Sequence, residues 1–524
     1  MRQSLILLAN FPDNESGMDS IYSIFKSNVE AHPEKTAVVF KHTFLSYRAL
    51  DDQVTRVVTY FQHIGLQSGH RVALFAPNGI EYPVVLLAIA RMGLAVVPLP
   101  ISLKGAALEI ALKKTPVAAV IAWPSISRLL LDKGLVEQQK LVSFEKSVAG
   151  EVTWPEVLSG TYVSSDRGAL PAQQSEPDIH APYILTMTSG STGTPKPIVL
   201  SQHCKIMRAK EATEIYYQLN QNDKVLVATP LYHSLAQRGV LMPLLLGATT
   251  VIMPKFALKG WLNAIETHKI TFLFAVSAQL ESFLGYQGEN YNLSSLRCVV
   301  SSSAVLNAES KRALLGKLHC AFHECYGASE VGVVTDFCVS NMPEKNGSVG
   351  APLPFVEVKI TDEQREQVAI GQVGEIACKT ITGFSGYHKL PEATEGAYDQ
   401  RDYFYTGDLG YLDDQCYLYY VGRKKEVISS GGINIFPQDI EAVIKRHPNI
   451  VDCVAFGCHD QQLGEVIKVV YEQRGEEDLD RSLRMMCLQE LTDYQQPRQL
   501  TRLSELPRNQ MGKVLRNDVK LQNQ

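Results

Sequence analysis

The sequence predicts an α/β protein: a large N-terminal body of stacked α/β subdomains with a small β-rich lobe, followed by a small α+β C-terminal domain. Three observations carry this. Helical and strand patterns alternate from residue 20 to 120 and again through 180–340, as expected for mainly parallel sheets covered by helices. Short strand patterns dominate from 356 to 421. After Gly422-Arg423-Lys424-Lys425 the character changes again, and the tail of about 100 residues is at the low end for an independent domain. The expected domains are therefore 1–422 and 423–524.

In chain order, Ile21–Glu30 has helical spacing, while Ala37-Val38-Val39-Phe40 and Phe44-Leu45-Ser46-Tyr47 read as strands. Leu50–Ile64 is helical, Val72–Phe75 a strand, Ile80–Met92 a helix and Ala95–Pro98 a strand. Val356–Thr361, Gly374–Cys378 and Tyr417–Val421 are the strands expected in the lobe. In the tail, Pro437–Arg446 and Leu479–Leu491 read as helices, and Val451–Gly457 and Val466–Tyr471 as strands.

Composition narrows the function classes. The 524 residues carry 50 Lys plus Arg against 55 Asp plus Glu, a formal charge of −5. That is no basic field for a nucleic-acid backbone. Hydrophobic residues at 45% and charged residues at 20% argue for a globular chain over a disordered one. None of the ten cysteines forms a CxxC pair or a zinc-finger spacing with histidine. The Leu5–Ala9 run is shorter than a secretory h-region. The apolar stretch from Pro83 to Pro100 is broken by Arg91 and Gly93, short of a membrane span. A cytoplasmic protein is the expectation.

The first chemical signal is a loop. The strand pattern Tyr183–Met187 runs into Thr188-Ser189-Gly190-Ser191-Thr192-Gly193-Thr194-Pro195-Lys196. Small residues let backbone N–H groups approach an anion, hydroxyls add donors, and Lys196 adds charge. The run cannot be laid on the Walker A pattern, which sets aside a P-loop kinase or GTPase.

This loop resembles the phosphate loop of the adenylate-forming superfamily: acyl- and aryl-CoA synthetases, peptide-synthetase adenylation domains and firefly-type luciferases. Further segments follow in that family's order. Pro230-Leu231-Tyr232-His233 matches PxxH, Tyr326-Gly327-Ala328-Ser329-Glu330 matches YGxTE, and Tyr405-Thr406-Gly407-Asp408 matches YxTGD. Gly422-Arg423-Lys424-Lys425-Glu426 matches the hinge motif, and Pro507–Lys513 matches PRNxxGK. The resemblance covers essentially the whole chain.

The resemblance implies an ATP-dependent acid–thiol ligase. A carboxylate attacks the α-phosphorus of ATP to give acyl-AMP, and the thiol of coenzyme A then displaces AMP. It puts Thr188 to Gly193, Ser303, Ala304, Tyr326, Gly327, Ser329, Asp408 and Arg423 around ATP or AMP. Glu330 would hold Mg²⁺, a hard-oxygen role. Tyr326 would lie against adenine, and Asp408, helped by Arg423, would accept the ribose hydroxyls. Lys513 would bridge carboxylate, ribose and α-phosphate, with Lys196 and His233 also at the reacting groups. Lys425 would be the hinge about which the C-terminal domain rotates between adenylating and thioester-forming poses. An alternative acceptor, the phosphopantetheine of an acyl carrier protein, presents the same thiol. Nothing supports a luciferase-like oxygenase, and the retained charged residues argue against a non-catalytic binding homologue.

The chain also departs from the pattern. Pro197 replaces a glycine after the loop lysine, removing one backbone donor. Ser301-Ser302-Ser303-Ala304-Val305-Leu306 stands where SGGAPL is usual, and Cys325 where glycine often precedes the tyrosine. If these side chains point inward, Ser302, Ser303 and Cys325 add volume where the acyl group or adenine is held, tilting the expected acid towards short, medium-chain or aromatic ones. Ser301, Ser302 and Cys325 are the residues expected to line the acyl pocket. Leu231 to Gly247 contains no Asp or Glu, which argues against an α-amino acid, whose buried ammonium would lack a partner. Arg238, if it points inward beside His233, would favour a substrate with a second anionic group.

Overall fold

The computed structural model describes residues 19–146, 152–161, 176–187, 196–212, 216–431, 433–510 and 512–523. Two compact units divide the chain. One comprises Met1–Asn346, Pro352–Glu357 and Lys379–Asp402; the other comprises Gly347–Ala351, Val358–Cys378 and Tyr403–Gln524.

The first unit holds two large, mainly parallel sheets. One sheet runs, edge to edge, through Gly386–Tyr387, Pro197–Ser201, Pro182–Met187, Ala95–Pro98, Arg71–Phe75, Ala119–Ala122, Leu141–Ser143 and Val152–Thr153. Its core gathers Ala73, Phe75, Val97, Val120 and Leu185 with Leu108, Ile126 and Leu130 from the covering helices. Strands such as Ala95–Pro98 and Ala119–Ala122 are buried along their whole length, as expected where helices cover both faces. The other sheet contains, in spatial order, Gly332–Cys338, Ala321–Ala328, Cys298–Ser302, Phe272–Val276, Lys224–Val227, Thr249–Ile252, Thr36–Phe40 and Thr43–Ser46.

One boundary differs from the sequence expectation. Tyr47 does not end a strand; it opens the helix Tyr47–His63. The Ser46 hydroxyl accepts from the Ala49 N–H at 3.2 Å, an N-cap that satisfies an otherwise orphaned donor. The buried Tyr47 ring then packs on Phe25, 5.7 Å between centroids.

In the second unit, Val356–Thr361, Gly374–Thr380, Phe404–Leu412 and Leu418–Arg423 form the β-rich lobe. The expected lobe strand from Tyr417 extends to Arg423, so the Gly422-Arg423 motif ends a strand. The C-terminal sheet pairs the long strands Ile450–Asp460 and Gly464–Gln473 antiparallel, with Gln499–Leu503 added parallel. Helices Pro437–Ile444 and Asp480–Glu490 cover it through Ile440, Ile444, Leu483 and Cys487. Among the described residues no helix is long and apolar enough to cross a membrane, and all ten cysteines are free.

Candidate active site

Thr188, Ser189, Gly190, Ser191, Thr192 and Gly193 lie outside the described residues. Lys196, at the loop's exit, is described. Its Nζ lies 5.0 Å from the centre of the Tyr387 ring, a cation–π contact. Tyr387 is placed there because Gly386–Tyr387 pairs antiparallel with the strand that follows the loop, Tyr387 opposite Ile198. Pro197 begins that strand, a position where a missing N–H costs no ladder bond. Its carbonyl accepts from His388 N–H at 2.9 Å.

The Tyr387 hydroxyl also donates to Glu330 Oε1 at 3.1 Å. Burial, and secondarily the Glu330 charge, push its pKa well above the ordinary phenol value, so it stays a donor. Lys196, Tyr387 and Glu330 thus form one connected group. Beneath it the buried Arg208 donates to the carbonyls of Ser329, Glu330 and Thr382 at 3.0–3.1 Å. Sequence reasoning missed both Tyr387 and Arg208. Their contacts arise from tertiary pairing, and neither belongs to a motif string considered above.

Tyr326 lies in the strand Ala321–Ala328 and is 7% exposed. Gly327 follows it at a register shift in the hairpin with Gly332–Cys338. A Cβ at Gly327 would stand 2.0 Å from the Gly332 carbonyl oxygen, so only glycine fits this close approach. Ser303 and Ala304 are exposed on the loop after Cys298–Ser302. Ser303 sits at φ 82°, the left-handed region that glycine occupies without strain. The Ser277 hydroxyl donates to the Ala304 carbonyl. Glu324 accepts from Leu306 N–H at 2.8 Å and pairs with the fully buried Lys311.

The acyl-pocket candidates lie on neighbouring elements, but Ser301 and Ser302 point to opposite faces of their strand, and only Ser302 shares the face of Cys325. Ser301 and Ser302 pair across the sheet with Ala275 and Val276. Ser301 is fully buried and its hydroxyl has no partner among the described residues. Ser302 hydrogen-bonds the buried Cys325 thiol, whose pKa burial pushes up to about 11, with Asp336 adding to the rise. His233 immediately precedes the helix Ser234–Leu245, its ring 4.3 Å from that of Tyr232. Burial lowers its pKa to about 4, so the imidazole is neutral near pH 7. Arg238 lies on that helix, over the Phe274 ring at 5.2 Å.

The remaining candidates belong to the second unit. Asp408, 3% exposed, stands directly across the ladder from Arg423, and the Arg423 Nε lies 2.7 Å from its Oδ1. Gly407 precedes it at φ 72° and donates its N–H to Glu375 Oε1 at 3.2 Å. Lys425 is exposed in the short turn Lys424–Glu426 that follows.

Lys513 is carried by a loop held from beneath. The Arg508 guanidinium reaches Asp452 at 2.9 Å, Glu472 at 3.3 Å and the Gly512 carbonyl at 3.2 Å. The Asn509 side chain accepts from Lys513 N–H at 3.0 Å. The Lys513 side chain reaches solvent. Partial desolvation nevertheless lowers its pKa, with Arg423 adding to the effect and Glu426 and Asp408 opposing it. The lysine is therefore within electrostatic reach of the Asp408–Arg423 pair.

Among the described residues no three His, Cys, Asp or Glu side chains converge as a ready-made metal cage. A half-buried Glu330 with one oxygen engaged by Tyr387 fits Mg²⁺, which is commonly held by one or two carboxylates plus substrate phosphates and water.

Comparison with known proteins gives the family. Residues 25–388 match the AMP-binding enzyme family and residues 439–513 the AMP-binding enzyme C-terminal domain. An indoleacetate–CoA ligase of Aromatoleum aromaticum is 29% identical over 93% of this chain and 95% of its own length. A sulfoacetate–CoA ligase of Cupriavidus necator is 30% identical over 90% and 91%. A long-chain-fatty-acid–CoA ligase of Salmonella typhimurium is 27% identical over 97% and 95%. In fold, ATP-bound MatB from Rhodopseudomonas palustris superposes with a TM-score of 0.86 at 24% identity, over 96% of this chain and 99% of that one. The chain belongs to the AMP-binding enzyme family, in the acyl- and aryl-CoA synthetase branch of the adenylate-forming superfamily.

Proposed function

We propose that the protein joins a small carboxylic acid to coenzyme A in two steps, with the residues above in the following roles. In the first, a carboxylate oxygen attacks the α-phosphorus of ATP and pyrophosphate leaves. In the second, the thiol sulfur attacks the acyl carbon and AMP leaves. Both first-step reactants are anionic, so the protein must supply fixed positive charge and aligned donors.

Lys196 and the hydroxyls of the Thr188–Gly193 loop bind phosphate. Glu330, steadied by Tyr387, would hold Mg²⁺, which neutralises phosphate charge when bound. Asp408 accepts from the ribose and Arg423 fixes its carboxylate. Lys513 stabilises charge at the α-phosphate during the first step only. The observation that most supports this reading is the buried Asp408 held by Arg423 at 2.7 Å directly across one ladder. A domain boundary at 422/423 with Lys425 as hinge would let the lysine withdraw for the second step; a few torsions at an element end suffice for such a motion. The free, mostly buried cysteines support a reducing compartment such as the cytoplasm.

The test is a product assay. Purified protein with MgATP and a panel of aliphatic, aromatic and dicarboxylic acids is offered free coenzyme A or a phosphopantetheinylated carrier protein. Acyl-CoA and AMP in equal amounts are expected. Thioester on the carrier alone would replace coenzyme A by the carrier as acceptor.

A further inference from the structure

We propose that the acid activated here carries a second anionic group, a carboxylate or sulfonate, bound by Arg238 in the acyl pocket. This rests on the ligase reading above and names its substrate class.

Helices Gln202–Glu211 and Ser234–Leu245 bring Lys205, Arg208 and Arg238 into one cluster. The first two cations have neutral acceptors. Lys205 Nζ donates to Gln237 Oε1 at 3.2 Å, and Arg208 is spent on the three carbonyls beneath Glu330. Arg238 differs. One amino group reaches the Arg208 carbonyl at 3.2 Å and, weakly, the Tyr216 hydroxyl at 3.5 Å. Its Nε is buried with no partner among the described residues. Among the described residues no carboxylate lies within ion-pair distance of Lys205, Arg208 or Arg238.

The acidic groups nearby do not balance the cluster. Glu211 is 2% exposed, and its Oε1 is buried without a partner among the described residues. Burial pushes its carboxyl up to about 8, so it is largely neutral at pH 7. Asp336 is engaged by His323 at 2.7 Å and by the Tyr217 hydroxyl at 3.1 Å. Burial keeps Tyr216, Tyr217 and Cys325 protonated. Among the described residues the Arg238 charge therefore has no carboxylate at ion-pair distance, with Glu211 reaching it only as a longer-range and largely neutral group. Such a buried charge costs stability and is a candidate functional feature.

Its position identifies the ligand. Phe274, which Arg238 overlies, pairs with Val300, next to Ser301 and Ser302. The Ser302–Cys325 contact belongs to the same wall, on the face of the sheet that Phe274 and Val300 share; Ser301, one residue along the strand, faces the other way with Glu324. A guanidinium fork whose Nε has no partner among the described residues matches an oxyanion through paired charge-assisted bonds.

The test compares acids of matched length with and without the second charge: malonate, succinate and glutarate against propanoate, butanoate and pentanoate, and sulfoacetate against propanoate. Pyrophosphate release by the full chain with MgATP and coenzyme A is the readout. At least one doubly charged acid should exceed its matched partner about tenfold or more in kcat/KM, as charge-assisted bonds allow. Arg238→Met should collapse that ratio, mainly through KM, with Arg238→Lys recovering part of it; melting curves confirm both variants fold. The sulfonate and dicarboxylate arms tell the two oxyanions apart. A preference for the singly charged acids, or a ratio unmoved by Arg238→Met, overturns the proposal. Turnover of no acid at all overturns the ligase reading beneath it.

Discussion

Two regions of the first unit bury cations in opposite ways. Under the Ser303–Leu306 loop, Lys311 and Glu324 are both fully inside, paired with each other, and the carboxylate also takes the Leu306 N–H. Every charge there is answered by protein. In the acyl pocket, Arg238 has a buried donor without a partner and no carboxylate in ion-pair reach among the described residues. The difference separates charge used to hold a loop from charge held ready for a ligand. The first kind is destabilising to disturb; the second is costly to keep.

That contrast can be broken by measurement. Lys311→Met strands a buried carboxylate, and unfolding free energy should fall by about 3–5 kcal/mol, with Lys311→Met/Glu324→Leu recovering part of it. A loss under about 1 kcal/mol would erase the distinction. Ser303→Gly relieves a left-handed serine on the loop that Glu324 holds, and should stabilise by about 1 kcal/mol; a decrease in Tm would mean that the Ser303 side chain makes a contact worth more than the strain. Arg238→Met should not destabilise, and should gain up to about 1 kcal/mol, because no counter-charge is left stranded and an unpaired buried charge is removed. A collapse of the fold in that variant would put Arg238 in the same class as Lys311.

The motifs expected to serve the nucleotide were legible because their residues lie in contiguous strings. Tyr326 to Glu330, Tyr405 to Asp408 and Pro507 to Lys513 can each be read without knowing what packs on them. Tyr387 and Arg208 could not be. One reaches Glu330 through a two-residue strand paired to Pro197–Ser201, the other through a helix side chain capping carbonyls from distant segments. The acyl pocket was legible only as departures. Serines at 302 and 303 stood where glycine is usual, but only coordinates separate Ser302, hydrogen-bonded to Cys325, from Ser303, exposed at φ 82°. The helical start at Tyr47 was missed for a local reason, since a strand pattern ending in Ser46 hid an N-cap.

The account turns on carboxylate activation through an adenylate, with Lys513 serving that step alone. The direct measurement is the two half-reactions of Lys513→Ala against the parent. Acid-dependent exchange of pyrophosphate into ATP, without coenzyme A, should fall by a factor of about 100 or more, the scale on which removal of a transition-state charge stabiliser acts. Thioester formation from supplied acyl-adenylate and coenzyme A should persist. Unchanged exchange in the variant would contradict the account.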